Sequence, residues 1–502
     1  MIEKELLKLQ NGSDVRGIAL EGIAGENVNL HPDEANVIAA AYVKWLSQKL
    51  DKPAAELVIT IGHDSRLSAT SLKEAALQGI LSAGAAARDC EMASTLAMFM
   101  SIVLPEIKAD GAIMITASHL PFNRNGLKFF TAQGGLEKSD ITAVLKIAAT
   151  LEPAEKDLAA VKKLALIDAY AAHLCQKIRT GLNAGDADKP LQGMHIVADA
   201  GNGAGGFFAN KVLVPLGADI SGSLYLDPDG HFPNHIPNPE NQQAMDAIRG
   251  AVLNNKADLG IIFDTDVDRM SAVLPDGQQI SRNALIAMMT AILEPDYPGS
   301  TIITDSVTSD ELTDFLENKL HLKHHRFMRG YKNVINECIR LNNAGTVSPL
   351  AIETSGHGAL SENYYLDDGA YLAVKLIIAA AKAKKMNKDL SHLIADLQQP
   401  AEAVEYRFYI RNVEDFKTYG QNVLKAFQEK AEAKGIKIAA PSYEGVRLVF
   451  PGEGWVLLRM SLHDPNMPMN VESRHAGGCQ KLTAIAHELL AEFKHLDTSV
   501  IK

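Results

Sequence analysis

Short apolar runs recur along the chain, and each empties into a small polar cluster. GAIMI (111–115) leads into Thr116-Ala117-Ser118-His119, MHIVA (194–198) into Asp199-Ala200-Gly201, and LGIIF (259–263) into Asp264-Thr265-Asp266. STIIT (300–304) and PLAIE (349–353) do the same, at Asp305-Ser306 and Thr354-Ser355. Runs this short and this apolar predict buried strands. Helix-like segments lie between them, for example 68–81 and 371–384. Strand, polar loop and helix in alternation predict α/β layers. Ligands of such sheets bind beyond the carboxyl ends of the strands, where these polar clusters fall.

The pattern is punctuated in three places. A charged stretch at 152–163 predicts an exposed connector or helix, and Pro275-Asp276-Gly277 predicts a hairpin turn just after the acidic cluster. Around 397–403 the alternation changes, and EYRFYI (405–410), VRLVF (446–450) and GWVLLRM (454–460) predict strands of a smaller α+β domain, closed by a helix at about 480–493.

Size and composition sharpen this picture. At roughly 100–200 residues per domain, 502 residues predict three or four domains. Hydrophobic residues at 47% and charged residues at 22% exclude a disordered chain. A formal charge of -12 argues against general nucleic-acid or anionic-membrane binding while leaving room for a local basic site for a phosphate ester. Cys90, Cys175, Cys338 and Cys479 are far apart, so neither a disulfide framework nor a zinc site is expected, and a cytoplasmic location fits. The opening MIEKELLKLQ is not expected to be a signal peptide, and the apolar stretch at 285–293 is about half a membrane span.

Four clusters carry candidate chemistry. Ser118 follows a buried strand in a loop shaped by Pro121 and Gly126, and the absence of a GxSxG elbow disfavours a hydrolase triad. Asp264, Asp266 and Asp268 place three carboxylates at alternate positions, which repel unless a cation joins them. An EF-hand needs Gly and Glu where Arg269 and Pro275 stand, so few oxygen ligands on a rigid loop point to Mg²⁺. Glu353, Ser355 and His357, with Asp367-Asp368-Gly369 downstream, could grip sugar hydroxyls and move a proton. Arg459 and Ser461, followed by His463, could hold a phosphate at a strand end.

In this order and spacing the four clusters resemble the active-site loops of the α-D-phosphohexomutases, the phosphoglucomutase/phosphomannomutase family. The serine loop TASHNPxxxNGxK is similar to 116–128, the metal loop DGDxDR to 264–269, and the sugar loop GExSGH to 352–357. Ser13-Asp14-Val15-Arg16-Gly17, Gly62-His63-Asp64-Ser65-Arg66, and Asp229-Gly230-His231-Phe232-Pro233 leading to Pro237-Asn238-Pro239 extend the likeness over 11–473. Departures are Leu120 for Asn, Thr265 for Gly, and an RxSGTEP loop that reads Arg459-Met460-Ser461-Leu462-His463-Asp464-Pro465.

The resemblance implies an α/β fold of four domains around a central cleft: three related mixed α/β domains at 1–155, 156–273 and 274–398, and a smaller α+β domain at 399–502. It implies interconversion of hexose 1- and 6-phosphates (glucose or mannose) through a phosphoserine at Ser118, with phosphoglucosamine mutation or non-catalytic phosphosugar binding as alternatives. Mg²⁺ on Ser118, Asp264, Asp266 and Asp268 is implied, with a hexose 1,6-bisphosphate as activator. His119, Lys128, Arg269 and His357 would join Ser118 as catalytic residues. Arg16, Arg329, Gly330, Tyr331, Lys332, Glu353, Ser355, Arg459, Ser461 and His463 would bind substrate. The implied partner is a small phosphosugar, with no nucleic acid and no membrane, and the protein would be a monomer or homodimer.

Overall fold

Each of the five apolar runs contains a strand in the computed structural model, which describes residues 3–461 and 464–501. The strands are Gly111–Ile115, Ile196–Asp199, Leu259–Phe263, Thr301–Thr304 and Leu350–Ile352, and all their residues are buried. Two units form. One holds residues 1–281 and 355–392, the other 282–354 and 393–502.

The first unit is built on an eight-stranded sheet. Across it lie Gln10–Asn11, Asp14–Ile18, Arg124–Thr131, Gly111–Ile115, Val58–His63, Ala86–Met92 and Lys162–Lys163, with Gly134–Gly135 paired to Arg124–Thr131. The last four of that row run parallel, whereas Arg124–Thr131 runs antiparallel to both its neighbours. This return strand sets Lys128 opposite Met114 and Gly126 opposite Arg16. Only glycine fits at 126, since a Cβ there would lie 2.2 Å from the Val15 carbonyl oxygen. Helices Pro32–Leu50, Ala69–Ser82 and Lys138–Ala148 bury Val37, Ile38, Leu72, Ile80, Ile141 and Leu145 with Ile59, Ile61, Ile113 and Phe129 from the strands. At about 1.5–3 kcal/mol for each large side chain removed from water, this shared core holds the sheet register.

A second sheet in this unit positions the acidic cluster. Ile196–Asp199 runs parallel to Leu259–Phe263, which pairs antiparallel with Met270–Val273 and, through it, Gln279–Ile280. Phe263 pairs directly with Met270, so residues 264–269 form a hairpin connection anchored at both ends. The turn at Pro275-Asp276-Gly277 joins the next pair, with Gly277 at φ +86° donating to the Leu274 carbonyl. A further hairpin, Gly358–Leu360 with Leu366–Asp367, precedes helix Gly369–Lys385. That helix starts where the Asp368 carboxylate accepts from the Tyr371 amide, an N-cap bond.

In the second unit Thr301–Thr304 runs parallel between Lys323–Arg326 and Leu350–Ile352, with helices Asn283–Leu293 and Tyr331–Asn343. Its C-terminal part is a six-stranded antiparallel sheet in the order Lys437–Ile438, Val446–Phe450, Gly454–Leu458, Asn466–Ser473, Glu402–Ile410 and Leu496–Asp497. Val423 and Phe427 of helix Phe416–Ala433 and Leu482 and Ala486 of helix Gly478–Leu490 pack into its core. The closing helix stops at Leu490, earlier than the apolar pattern predicts, because the chain must turn to lay Leu496–Asp497 against Glu402–Ile410. The charged stretch at 152–163 is a largely exposed connector with one short turn, Leu158–Ala160, that ends in the edge strand Lys162–Lys163. No described helix is long and apolar enough to cross a membrane.

Candidate active site

Beyond strand Gly111–Ile115 the chain turns sharply at Ser118. Its φ of +54° is left-handed, a conformation that costs a residue with a Cβ about 1–3 kcal/mol and persists only where surroundings enforce it. They do so here. The Ser118 amide donates to Thr116 Oγ1 (2.9 Å), which donates to Asp64 Oδ2 (2.6 Å). Ser118, only 4% exposed, directs Oγ at Asp264 Oδ2 (3.2 Å) and accepts from Arg269 Nη2 (3.1 Å). Arg269 also donates to His119 Nδ1. Burial, with the nearby Arg269 and Arg16 charges, pushes His119 down to about 3, so its imidazole is neutral.

Asp264, Asp266 and Asp268 are all buried, and one carboxylate oxygen from each lies within 4.8 Å of the others. Burial and the adjacent Asp268 charge hold the Asp264 carboxyl well above its ordinary value, although Arg269 opposes them. Burial works against the Asp268 charge too, but Lys128, His357 and Arg269 overcome it and keep Asp268 ionised. Lys128 Nζ donates to Asp266 Oδ2 (2.9 Å) and Asp268 Oδ2 (2.6 Å). Thr95, first residue of helix Thr95–Val103, donates its hydroxyl to Asp266 as well. Asp266 Oδ1 and Asp268 Oδ1 are buried with no hydrogen-bond donor among the described residues. An all-oxygen set with two buried carboxylate oxygens left over fits a small hard cation such as Mg²⁺. At Thr265 the loop backbone lies against Gly203, where a Cβ would be 2.6 Å from the Thr265 carbonyl oxygen.

His357 joins this cluster through an isolated bridge to Arg269. Its Nδ1 bonds to Asp367 Oδ2 and lies 4.0 Å from Asp268 Oδ1. Burial disfavours the imidazolium, yet the Asp367 and Asp268 charges outweigh it and raise His357 to about 9. Arg16, on the neighbouring strand, pairs with Asp14 at 3.0 Å. Ser118, His119, Lys128, Arg269, His357 and the three aspartates thus meet in one unit, with Arg16 close enough for its charge to act on His119.

The remaining candidates gather in the other unit. Gly330, at φ +108° before helix Tyr331–Asn343, donates its amide to Glu353 Oε1 (2.6 Å), and Tyr331 and Lys332 open that helix. Arg329 donates its amide to Glu444 Oε2 (3.0 Å) and holds Nε 3.6 Å from Asp305 Oδ2. Arg459, 6% exposed, lies 3.6 Å from Glu444 Oε1, and its buried Nε has no hydrogen-bond partner among the described residues. Ser461 Oγ accepts from the Asp464 amide (3.2 Å). Ser355 falls in the segment belonging to the first unit, two residues beyond Glu353. His463 lies outside the described residues.

Other contributors escape the sequence reading. Arg66 and Asp64 stand at the end of strand Val58–His63, a placement like that of the other polar clusters, but their target is a loop more than fifty residues away. Asp367, visible as half of an acid pair, reveals nothing in sequence of its bond to His357. Asn238, whose Oδ1 accepts from Arg269 Nη1 (3.3 Å), is legible only as part of a proline-flanked landmark. Thr95 and Glu444 carry no sequence signal.

The chain matches the family models for α/β/α domains I, II and III of phosphoglucomutase/phosphomannomutase at residues 8–155, 168–277 and 281–400. It is 26% identical over 471 residues to a phosphomannomutase/phosphoglucomutase of Pseudomonas putida, covering 93% of each chain. A phosphoglucomutase/phosphomannomutase of Thermococcus kodakarensis is 28% identical over 480 residues, 94% of this chain and 97% of its own. A crystal structure of a phosphoglucomutase/phosphomannomutase family protein from Burkholderia thailandensis shares the fold at a TM-score of 0.79 and 22% identity, over 99% of this chain and 100% of that one. With three consecutive domain models in register and relatives matched almost end to end, this chain is a member of the phosphoglucomutase/phosphomannomutase family, a phosphohexomutase.

Proposed function

We propose that the enzyme interconverts hexose 1-phosphate and hexose 6-phosphate, with glucose or mannose as the sugar, through a phosphoserine at Ser118 and a bisphosphorylated intermediate. The observation that carries this reading is the strained Ser118, whose Oγ meets Asp264 and Arg269. In the first half-reaction a sugar hydroxyl attacks the seryl phosphorus: a new P–O bond forms to the sugar oxygen as the bond to Ser118 Oγ breaks. The hydroxyl gives up its proton and Ser118 Oγ gains one. The reverse transfer from the other phosphate restores the phosphoserine.

Lys128 and His357 form the acid/base pair. Both are positioned by carboxylates, Lys128 by Asp266 and Asp268 and His357 by Asp367. Arg269 offers Nη2 to the transferring phosphoryl oxygens, and neutral His119 flanks it without adding charge. Bound Mg²⁺ would supply electrostatic stabilisation of the charge developing on the phosphoryl group. Asp264, Asp266 and Asp268, with the seryl oxygen, are the residues to hold it. Arg16 is proposed to contact the phosphate, Glu353 and Ser355 the sugar hydroxyls, the 329–332 segment the sugar, and Arg459 with Ser461 the distal phosphate.

Intact mass before and after phosphatase treatment tests the carrier: wild type should lose one phosphoryl group and Ser118→Ala none. A coupled assay with glucose 1-phosphate, mannose 1-phosphate and glucosamine 6-phosphate, each primed with its bisphosphate, identifies the sugar. Turnover by Ser118→Ala would overturn the mechanism.

A further inference from the structure

We propose that Arg66 is a positioning residue for phosphoryl transfer: its guanidinium grips the main chain of the serine loop and so holds Ser118 in the conformation from which Oγ reacts. The side chain is completely buried. Nη1 donates to the carbonyl oxygens of Pro121 (2.8 Å) and Arg124 (2.9 Å). Nη2 donates to those of Ser118 and Leu120. Nε faces Asp64 Oδ2 at 3.4 Å. The four Nη–H groups are therefore bonded to four points along one loop, while Nε makes only an ion-pair approach, without a hydrogen bond among the described residues, to the carboxylate that anchors Thr116.

The grip closes on Ser118 from both sides. Its carbonyl is held by Arg66, and its amide is held by Thr116 Oγ1, itself bonded to Asp64. Asp64 Oδ1 in turn accepts from the Arg66 amide (2.9 Å), so carboxylate, guanidinium and loop form one network. On the far side the guanidinium lies 5.4 Å from the centre of the Phe232 ring, and Gly230 is pressed against the Ser65–Leu67 backbone, where a Cβ would sit 2.5 Å from the Ser65 carbonyl oxygen. A left-handed serine does not hold itself there: an ordinary residue relaxes to negative φ when released. Lysine cannot replace this function, because three donors on one rotating nitrogen cannot address four carbonyls spread along a loop. The guanidinium bonds to loop carbonyls and not to Ser118 Oγ, so its effect passes through the backbone.

The inference rests on the phosphoserine reading, so Ser118→Ala is assayed beside Arg66→Lys and Thr116→Val in the full chain. Thr116→Val removes one hydroxyl from the network at constant shape and decides the matter if Arg66→Lys does not fold. Rates are measured with glucose 1-phosphate and its bisphosphate and divided by the fraction of chains phosphorylated at Ser118, read by mass. A merely structural role lowers that fraction and leaves the rate per phosphoserine unchanged. Positioning instead lowers kcat per phosphoserine by roughly 10²-fold, the penalty for a misplacement of about 1 Å, with KM unchanged. Wild-type kcat per phosphoserine in folded Arg66→Lys or in Thr116→Val, or a rise in KM with kcat retained, overturns the proposal. If Ser118→Ala itself turns over, the phosphoserine reading fails, and this inference fails with it; if only the Arg66 and Thr116 variants are unaffected, the inference alone is wrong.

Discussion

Replacing Tyr170 with Phe should destabilise the enzyme more at pH 8 than at pH 5. Tyr170 is buried, and its hydroxyl donates to both carboxylate oxygens of Asp368, at 2.8 and 2.7 Å. Asp368 caps helix Gly369–Lys385 and adjoins Asp367, the partner of His357, so its state bears on the active site. Burial raises Asp368 to about 6, against the opposing bonds from Tyr170, the Tyr371 amide and Asn363. Because the folded value lies above the ordinary carboxylate value of about 3.9, the group favours the folded state fully below about pH 4. That contribution is lost as pH rises through 6, and the gap of about 2 between the folded and ordinary values corresponds to roughly 3 kcal/mol. In Tyr170→Phe the strongest opposing bond is gone, so the folded value moves higher and the loss at alkaline pH deepens. At pH 8 the ionised carboxylate loses a charged hydrogen bond, about 1.5–3 kcal/mol; at pH 5 the protonated acid loses a neutral one, about 1 kcal/mol. Hydrogen exchange of the amides in helix Gly369–Lys385, corrected for intrinsic rates, measures the difference locally. Equal destabilisation at both pH values, or a larger effect at pH 5, would refute this account of Asp368.

Three further outcomes are expected besides the loss of turnover in Ser118→Ala. Asp367→Asn removes the charge that does most to raise His357 against its burial, so the alkaline limb of kcat should move to lower pH by about one unit or more, seen in a profile from pH 6 to 10. Asp264→Asn removes a carboxyl whose ionisation burial and two like neighbours oppose, so Mg²⁺ affinity by calorimetry should fall at least about 10–100-fold while the metal-free melting temperature does not drop. A lower melting temperature with unchanged metal affinity would contradict the assignment. Arg459→Ala should raise the KM for the sugar phosphate about 10–100-fold, the equivalent of one lost charge-assisted hydrogen bond, with a smaller change in kcat.

The positions of the strands and loops follow from the chain alone. Five apolar runs predict five buried strands because burial on both faces leaves no polar position to place, and the polar cluster after each falls at the strand end where a sheet binds ligands. Three aspartates at alternate positions between Phe263 and Met270 announce a cation for an equally local reason, since adjacent carboxylates repel wherever the loop sits. What the chain alone does not reveal is which charge meets which. Lys128 reaches Asp266 and Asp268, 138 and 140 residues away, only because the return strand Arg124–Thr131 pairs with Gly111–Ile115 in one register. A slip of one residue would turn its ammonium to the other face of the sheet. The same holds for Asp367 beneath His357, Thr95 on Asp266, Glu444 beside Arg459, and Arg66 under the serine loop. Each is an ordinary polar residue whose partner is chosen by strand order and packing, so its role exists only in the folded protein.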